Sequence, residues 1–160
     1  MKVLKIIFID IPLWIWQLPQ HIVAMFFFIF NWKKIKKAND CGITYYKAKH
    51  VYNCGISLGN YIFLDSDSYK NYENFRDKET VKHEYGHSIQ SKILGPLYVF
   101  FIGLPSLIGN IVYRIKDKIH EKTDTYETYK QRSLNYYKQP WEYWADSLGK
   151  VDREKRKREL

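Results

Sequence analysis

Cysteine is scarce in this chain of 160 residues: there are two, Cys41 and Cys54. That excludes a disulfide scaffold, and their separation excludes a C-x-x-C motif. In a cytoplasmic setting both should be free thiols, whereas a bridge across a hairpin is the alternative if the domain faces outward. Acidic residues are also in short supply, 17 against 26 Lys and Arg, for a formal charge of +9. Such a deficit points to an anionic partner, either nucleic acid or an anionic membrane surface. No internal repeat is visible. Disorder as the main state is excluded by what is present: 46% apolar and 18% aromatic residues are enough for a core in one domain.

The mean hydropathy of −0.45 suits a soluble protein, but it averages over an uneven chain. From Ile11 to Trp32 no residue carries a formal charge. A straight helix of those 22 residues could cross a hydrocarbon core of roughly 30 Å. Trp14 and Trp16 near one end and Trp32 at the other resemble interfacial anchors. Lys33, Lys34, Lys36 and Lys37 follow, a cluster expected to stay on the cytoplasmic side. Pro12, Pro19, Gln17, Gln20 and His21 argue against one simple span, and a shallow hairpin is the alternative. A packing or interfacial role suits His21 better than a functional one. A cleaved signal peptide would need small residues at its end. The bulky Phe28-Ile29-Phe30-Asn31-Trp32 lacks them, so residues 1–32 are read as a retained membrane-anchoring segment.

Residues 33–50 are basic and polar, as in a linker or an amphipathic lead-in. Short strands are expected over Ile43–Tyr46, Val51–Ile56 and Tyr61–Leu64, with a turn at Ser57–Asn60 and a strand end at Asp65–Ser68. Tyr69 to Lys78 reads as loop. A helix should then start near Asp77–Thr80 and stop at Gly95-Pro96. A second uncharged run, Ile93–Tyr113, is interrupted at Leu104-Pro105, which suggests two half-segments in a re-entrant or buried arrangement. A last helix is expected from Pro140 to Leu148, and a basic tail from Lys150 to Leu160.

The chemistry lies in His83-Glu84-Tyr85-Gly86-His87, an H-E-x-x-H sequence inside the expected helix. Residues four apart share a helix face, so both imidazoles can reach one Zn2+ ion. Glu84 is placed to act on a zinc-activated water as general base. A third ligand is required, because a catalytic zinc keeps three protein ligands and one open position. The E-x-x-x-D pattern of Glu142 and Asp146 offers Glu142 as that ligand, with Asp146 accepting a hydrogen bond from a ligand histidine. Gly86 and Ala145 are small, so their two helices can approach closely. Two polar-face histidines and a solvated acidic face are the bland alternatives.

Together these segments resemble the gluzincin group of zinc metallopeptidases, and within it the membrane-embedded heat-shock HtpX-type and CAAX prenyl proteases. The flanks Ser88-Ile89-Gln90-Ser91 and Leu94-Gly95-Pro96-Leu97-Tyr98 resemble a family of small, uncharacterised bacterial membrane proteins. The resemblance implies His83, His87 and Glu142 as metal ligands, Glu84 as base and Asp146 as the partner of a ligand histidine. It also implies that the strand near Gly59–Leu64 is an edge strand that pairs with an extended peptide substrate. Gluzincins stabilise the oxyanion with a Tyr, His or Arg; Arg153, His120, Tyr136 and Tyr137 are the candidates, and no spacing selects among them.

The expected fold class is α+β: a minimal zincin-like domain of a short antiparallel sheet plus zinc-site helices over 33–160, with an apolar insertion at 93–113. Since ligands lie on both sides of 93–113 and the charged stretch 114–140 cannot cross a bilayer, that run should be re-entrant, interfacial or packed in the domain. The expected activity is a membrane-associated zinc metalloendopeptidase. A non-catalytic zinc-binding membrane protein, an assembly or immunity-type factor, is the alternative. The expected partners are a lipid bilayer with an anionic surface and a peptide or protein substrate, with the metal site on the cytoplasmic side. Nucleic acid is not expected, because much of the basic charge flanks apolar runs or sits in the tail.

Overall fold

A computed structural model describes residues 2–33, 35–40, 42–48, 55–65, 75–120 and 125–154. Cys41 and Cys54, the first half of the strand expected at 51–56, the strand end and loop at 66–74, Lys34 and the tail from 155 lie outside the described residues. The fold is α+β.

The N-terminal run is helical but not straight. A turn of helix α1 (Lys2–Lys5) passes through a π-helical stretch (Ile6–Asp10) into α2 (Ile11–Trp16), and α3 (Leu18–Asn31) follows. Pro12 and Pro19 each occupy a first helical turn, where a missing N–H leaves no hydrogen bond unmade. The chain bends by 78° at Gln17 between them. The polar residues that spoke against a simple span are buried in protein. Gln17 accepts from Ser91 Oγ at 3.0 Å, and Gln20 Nε2 donates to the Gly95 carbonyl. His21 Nε2 accepts from the Asn60 amide at 3.2 Å.

Four strands follow: β1 (Lys36–Asp40), β2 (Ile43–Ala48), β3 (Gly55–Leu58) and β4 (Tyr61–Asp65). The stretch expected as a linker thus contributes β1, which pairs with β2 in a hairpin. The sheet order is β1-β2-β4-β3, and β2 and β4 run parallel. The sheet is therefore mixed rather than antiparallel. Strand β3 lies outside β4, and the hairpin at Gly59-Asn60 brings β4 back to the centre; Gly59 takes φ +67°, as such a tight turn requires. This also corrects the edge: β4, covering most of the 59–64 segment, is interior, and Gly55–Leu58 is the outer strand.

Strand β4 shows why. Ile62 and Leu64 pack with Tyr45 against Val81 of helix α4 (Phe75–Leu94), while Phe63 packs on the other face with Ala48 and Ala24 of α3. Phe27 and Phe28 of α3 lie against Phe63 with ring centroids 4.8 and 5.1 Å apart. A strand covered on both faces reads as a continuous apolar run, which Tyr-Ile-Phe-Leu is.

Helix α4 ends at a 3-10 turn (Gly95–Leu97), where Gly95 takes φ +54° beneath the Trp16 ring. Beyond it a π-helical turn (Val99–Gly103) runs directly into α5 (Leu104–His120). Leu104-Pro105 is thus not a break. The wider turn before it absorbs the hydrogen bond that Pro105 cannot donate. Val99–His120 is one helix long and apolar enough to cross a membrane, and 6% of its most apolar window is buried. The second apolar run is therefore neither re-entrant at residue 104 nor buried.

Helix α6 (Tyr126–Tyr137) returns antiparallel to α5. Arg132 pairs with Asp117 at 2.9 Å near one end, and Tyr136 reaches Ser106 near the other. Helix α7 (Pro140–Gly149) closes the fold against α4. A Cβ on Gly86 would collide with the Ala145 carbonyl, and one on Gly149 with the Lys82 carbonyl. The two helices thus meet at backbone distance, as the small residues suggested.

Candidate metal centre

Helix α4 presents His83 and His87 on one face, their ring centroids 4.7 Å apart. Helix α7 brings Glu142 to the same point. Its Oε2 lies 3.0 Å from His83 Nε2 and 3.4 Å from His87 Nε2. All three residues are buried, and the three ligand atoms lie within 4.8 Å of one another. Tetrahedral bonds of about 2.0–2.1 Å put ligand atoms roughly 3.3 Å apart, so two nitrogens and one oxygen at this spacing can hold a divalent metal with one position open.

The opposite ring atoms are all engaged. His83 Nδ1 lies 2.7 Å from Asp146 Oδ1, and His87 Nδ1 lies 2.7 Å from Gln90 Oε1. An acceptor oxygen at each Nδ1 holds a proton there and leaves the Nε2 lone pair to face inward, the tautomer a metal ligand needs. Glu142 is held in the same manner. Its Oε1 accepts from Ser106 Oγ at 2.6 Å and from Tyr136 Oη at 3.1 Å, so Oε2 alone is directed at the histidines. Burial by itself would raise the Glu142 carboxyl, but where protons rather than a metal sit on His83 and His87 Nε2, their hydrogen bonds and charges outweigh it and hold it well below the usual carboxylate range; a bound metal would take the place of those protons. The group is anionic in the range where proteins work, as ligation demands.

Glu84 is buried beside this cluster but is not one of its three ligands. It lies under the outer strand: a Cβ on Gly55 would fall on the Glu84 side chain. The absence of a side chain at Gly55 is what lets β3 pass over the glutamate.

The four oxyanion candidates separate. Arg153 donates to Asp146 Oδ2 at 3.3 Å and stacks on the Tyr143 ring at 3.5 Å, so it braces the carboxylate that holds His83 rather than facing the ligand atoms. His120 is exposed at the far end of α5, about 21 Å along the helix from Ser106 at ordinary helical rise. Tyr136 is engaged with Glu142 and Ser106. Tyr137 stands edge-on to His83, with ring centroids 5.6 Å apart.

Three contributors escape the motif. Gln90 is completely buried and also donates to the Trp141 carbonyl at 2.8 Å, tying His87 to the start of α7. Its signal was its place one turn beyond His87. Ser106 carried no signal beyond being one of the few polar side chains in an uncharged run. Tyr98 is buried close enough to Glu84 and Glu142 that their charges act on its hydroxyl, which burial first pushes far up.

No protein-family model matches this chain, and no curated protein or solved structure matches it either. The reading of the site therefore rests on its own residues.

Proposed function

We propose that this protein is a membrane-associated zinc metallopeptidase with a minimal zincin-like domain. The convergence of His83 Nε2, His87 Nε2 and a single Glu142 oxygen, each fixed by a partner on its far side, carries this reading. Two imidazoles and a carboxylate suit zinc among the common divalent metals. When bound, zinc acidifies water to a pKa of about 7 and polarises a carbonyl. Glu84 holds the proton taken from that water and returns it to the leaving amine. Intact Glu84 favours catalysis over mere metal storage, because three ligands would suffice for storage. The outer strand β3, with Gly55 over Glu84, suits an extended peptide laid along it. Tyr137 is a candidate to face the oxyanion, since its ring stands edge-on to the His83 imidazole. Membrane association rests on the uncovered apolar helices, and the lysines after residue 32 favour a cytoplasmic site.

The test is metal content and peptidase activity of purified protein. Wild type should carry one equivalent of zinc, and His83→Ala or Glu142→Ala should lose it. Glu84→Gln should keep zinc and lose peptide hydrolysis by at least about 100-fold. Unchanged metal in both ligand variants removes the reading. Zinc bound without hydrolysis in wild type leaves the non-catalytic zinc protein.

A further inference from the structure

Helix α5 carries an uncovered stripe. Phe100, Phe101, Leu104, Leu107, Ile108, Ile111, Val112, Ile115 and Ile119 are all exposed, and they recur at helical spacing over the whole length of Val99–His120. The other face is protein. Ser106 reaches Glu142, Gly109 and Tyr113 meet Tyr136, and Asp117 pairs with Arg132. A perpendicular crossing would carry the antiparallel α6 into the bilayer with it. The sequence of α6 includes Glu127, Lys130 and Arg132, and the last two turns of α5 hold Arg114, Lys116, Asp117 and Lys118. Placing these in hydrocarbon costs several kcal/mol even on the lenient insertion scale of about 3 per charge. Laid flat, the same helix puts its stripe into lipid with Arg114 and Lys116 at its borders; Lys118 falls on the apolar side by helical spacing, two residues from the helix end, where its long stem carries the ammonium to the headgroups.

The N-terminal run is uncovered as well. Its two halves, 11 and 14 residues long at Ile6–Trp16 and Leu18–Asn31, meet at 78°. At about 1.5 Å per residue neither half reaches 30 Å. Gln17 at the bend and the inner side of the second half are locked to Ser91, Gly95 and Asn60; the first half buries no residue, and Trp14, Ile15, Trp16, Met25, Phe26 and Phe30 are exposed. The two uncovered surfaces meet at Gly95–Leu97, where Trp16 covers Gly95 and Leu97 is exposed. Basic residues border them: Lys33 after α3, Lys92 before the junction, and Arg114, Lys116 and Lys118 along α5. Nothing of comparable acidity accompanies them in a chain of charge +9, which complements an anionic headgroup layer.

We propose that the protein is monotopic: α2, α3 and the stripe of α5 form one surface seated in a single leaflet of an anionic bilayer, with α5 lying in the interfacial plane. This does not depend on the metal reading. Along α4, Gly95 is eight residues from His87, so the junction of the two apolar surfaces lies about 12 Å from the metal ligands. The bilayer surface would thus be within reach of the site.

The experiment uses the full chain with Cys41→Ser and Cys54→Ser, bound to phosphatidylcholine vesicles with and without phosphatidylglycerol. Single cysteines replace Leu104, Ile108, Ile111, Ile115 and Ile119, and each carries a spin label whose depth is read by power saturation. The five labels should report similar, shallow depths, with a label at Lys116 in water. Binding should be stronger with phosphatidylglycerol and weaken with salt. The exposed-site double variant Ile108→Glu/Ile111→Glu should keep its helical spectrum and lose partitioning by on the order of tenfold or more. Depths that rise to the midplane and fall again would overturn the proposal, as would labels at 104 and 119 reached from opposite sides. So would failure to bind either vesicle, or labels buried by a second copy of the chain in a lipid-independent dimer.

Discussion

Glu142 works through a division of labour between its two oxygens: one faces the histidines, and the other is tied down by Ser106 and Tyr136. Gln90 does for His87 what Asp146 does for His83. Gln90→Leu removes an acceptor from His87 Nδ1 and should weaken metal affinity about 10–100-fold, measured by competition with a chelator. Gln90→Glu keeps an acceptor at that position and should lose much less. Equal affinities for Leu and Gln at this position would show that the hydrogen bond has no part in the site. That His83, His87 and Glu142 could come together was legible in sequence, because i, i+4 spacing fixes the two histidines on one helix face and E-x-x-x-D pointed to Glu142. Gln90 was within reach of the same helical argument. Ser106 and Tyr136 were not, because their approach to Glu142 depends on how α5 and α6 pack, which no local period encodes.

Among the elements, the contact of α4 with α7 is the most constrained. Gly86→Ala would gain about 1 kcal/mol in helix propensity but would force a methyl into the Ala145 carbonyl. Overpacking of that kind typically costs about 1–3 kcal/mol, so the net effect should be a lower denaturation midpoint and a loosened metal site. Gly149 shows a second use of glycine. It is the natural residue for a left-handed helix stop, yet it serves in the α7–α4 contact, and Lys150 takes the left-handed turn at φ +56°. The Val151 amide completes the stop by reaching the Asp146 carbonyl at 3.0 Å. Lys150→Gly should therefore stabilise the protein by about 1 kcal/mol, read as a raised denaturation midpoint without a change in slope. Strands β2 and β4, helix α4 and α7 were legible as elements to within a few residues, whereas β1 read as a linker because its Lys-Lys-Ala-Asn-Asp sequence carries no apolar alternation. The order of the strands in the sheet was not legible: whether β3 or β4 lies outside depends on which faces α3 and α4 cover. The Leu104-Pro105 break was misleading because a π-helical turn can carry a proline through a helix.

Across the whole molecule, burial sets an alkaline limit. The hydroxyls of Tyr98 and Tyr136 are both raised well above tyrosine's ordinary value of about 10, by burial first and by the glutamate charges second. In the unfolded chain they ionise near 10. Above that pH the unfolded state releases protons that the fold retains, so stability is complete below about 10 and declines as pH climbs further. Ultraviolet titration should show phenolate appearing from other tyrosines first, with these two ionising only as the protein unfolds. Early, reversible ionisation of all 14 tyrosines in the folded protein would contradict the burial. The apolar N-terminus also belongs to this scale. Helix α3 supplies Ala24, Phe27 and Phe28 to one face of the sheet, and Gln17 and Gln20 close the end of α4. An expression design that trims residues 1–32 to obtain a tractable protein should yield aggregated chain, not a shorter folded one. By the same logic a chimera carrying an unrelated hydrophobic anchor should fail even if it reaches the membrane, because what the first helices contribute is a wall of the protein as much as an address.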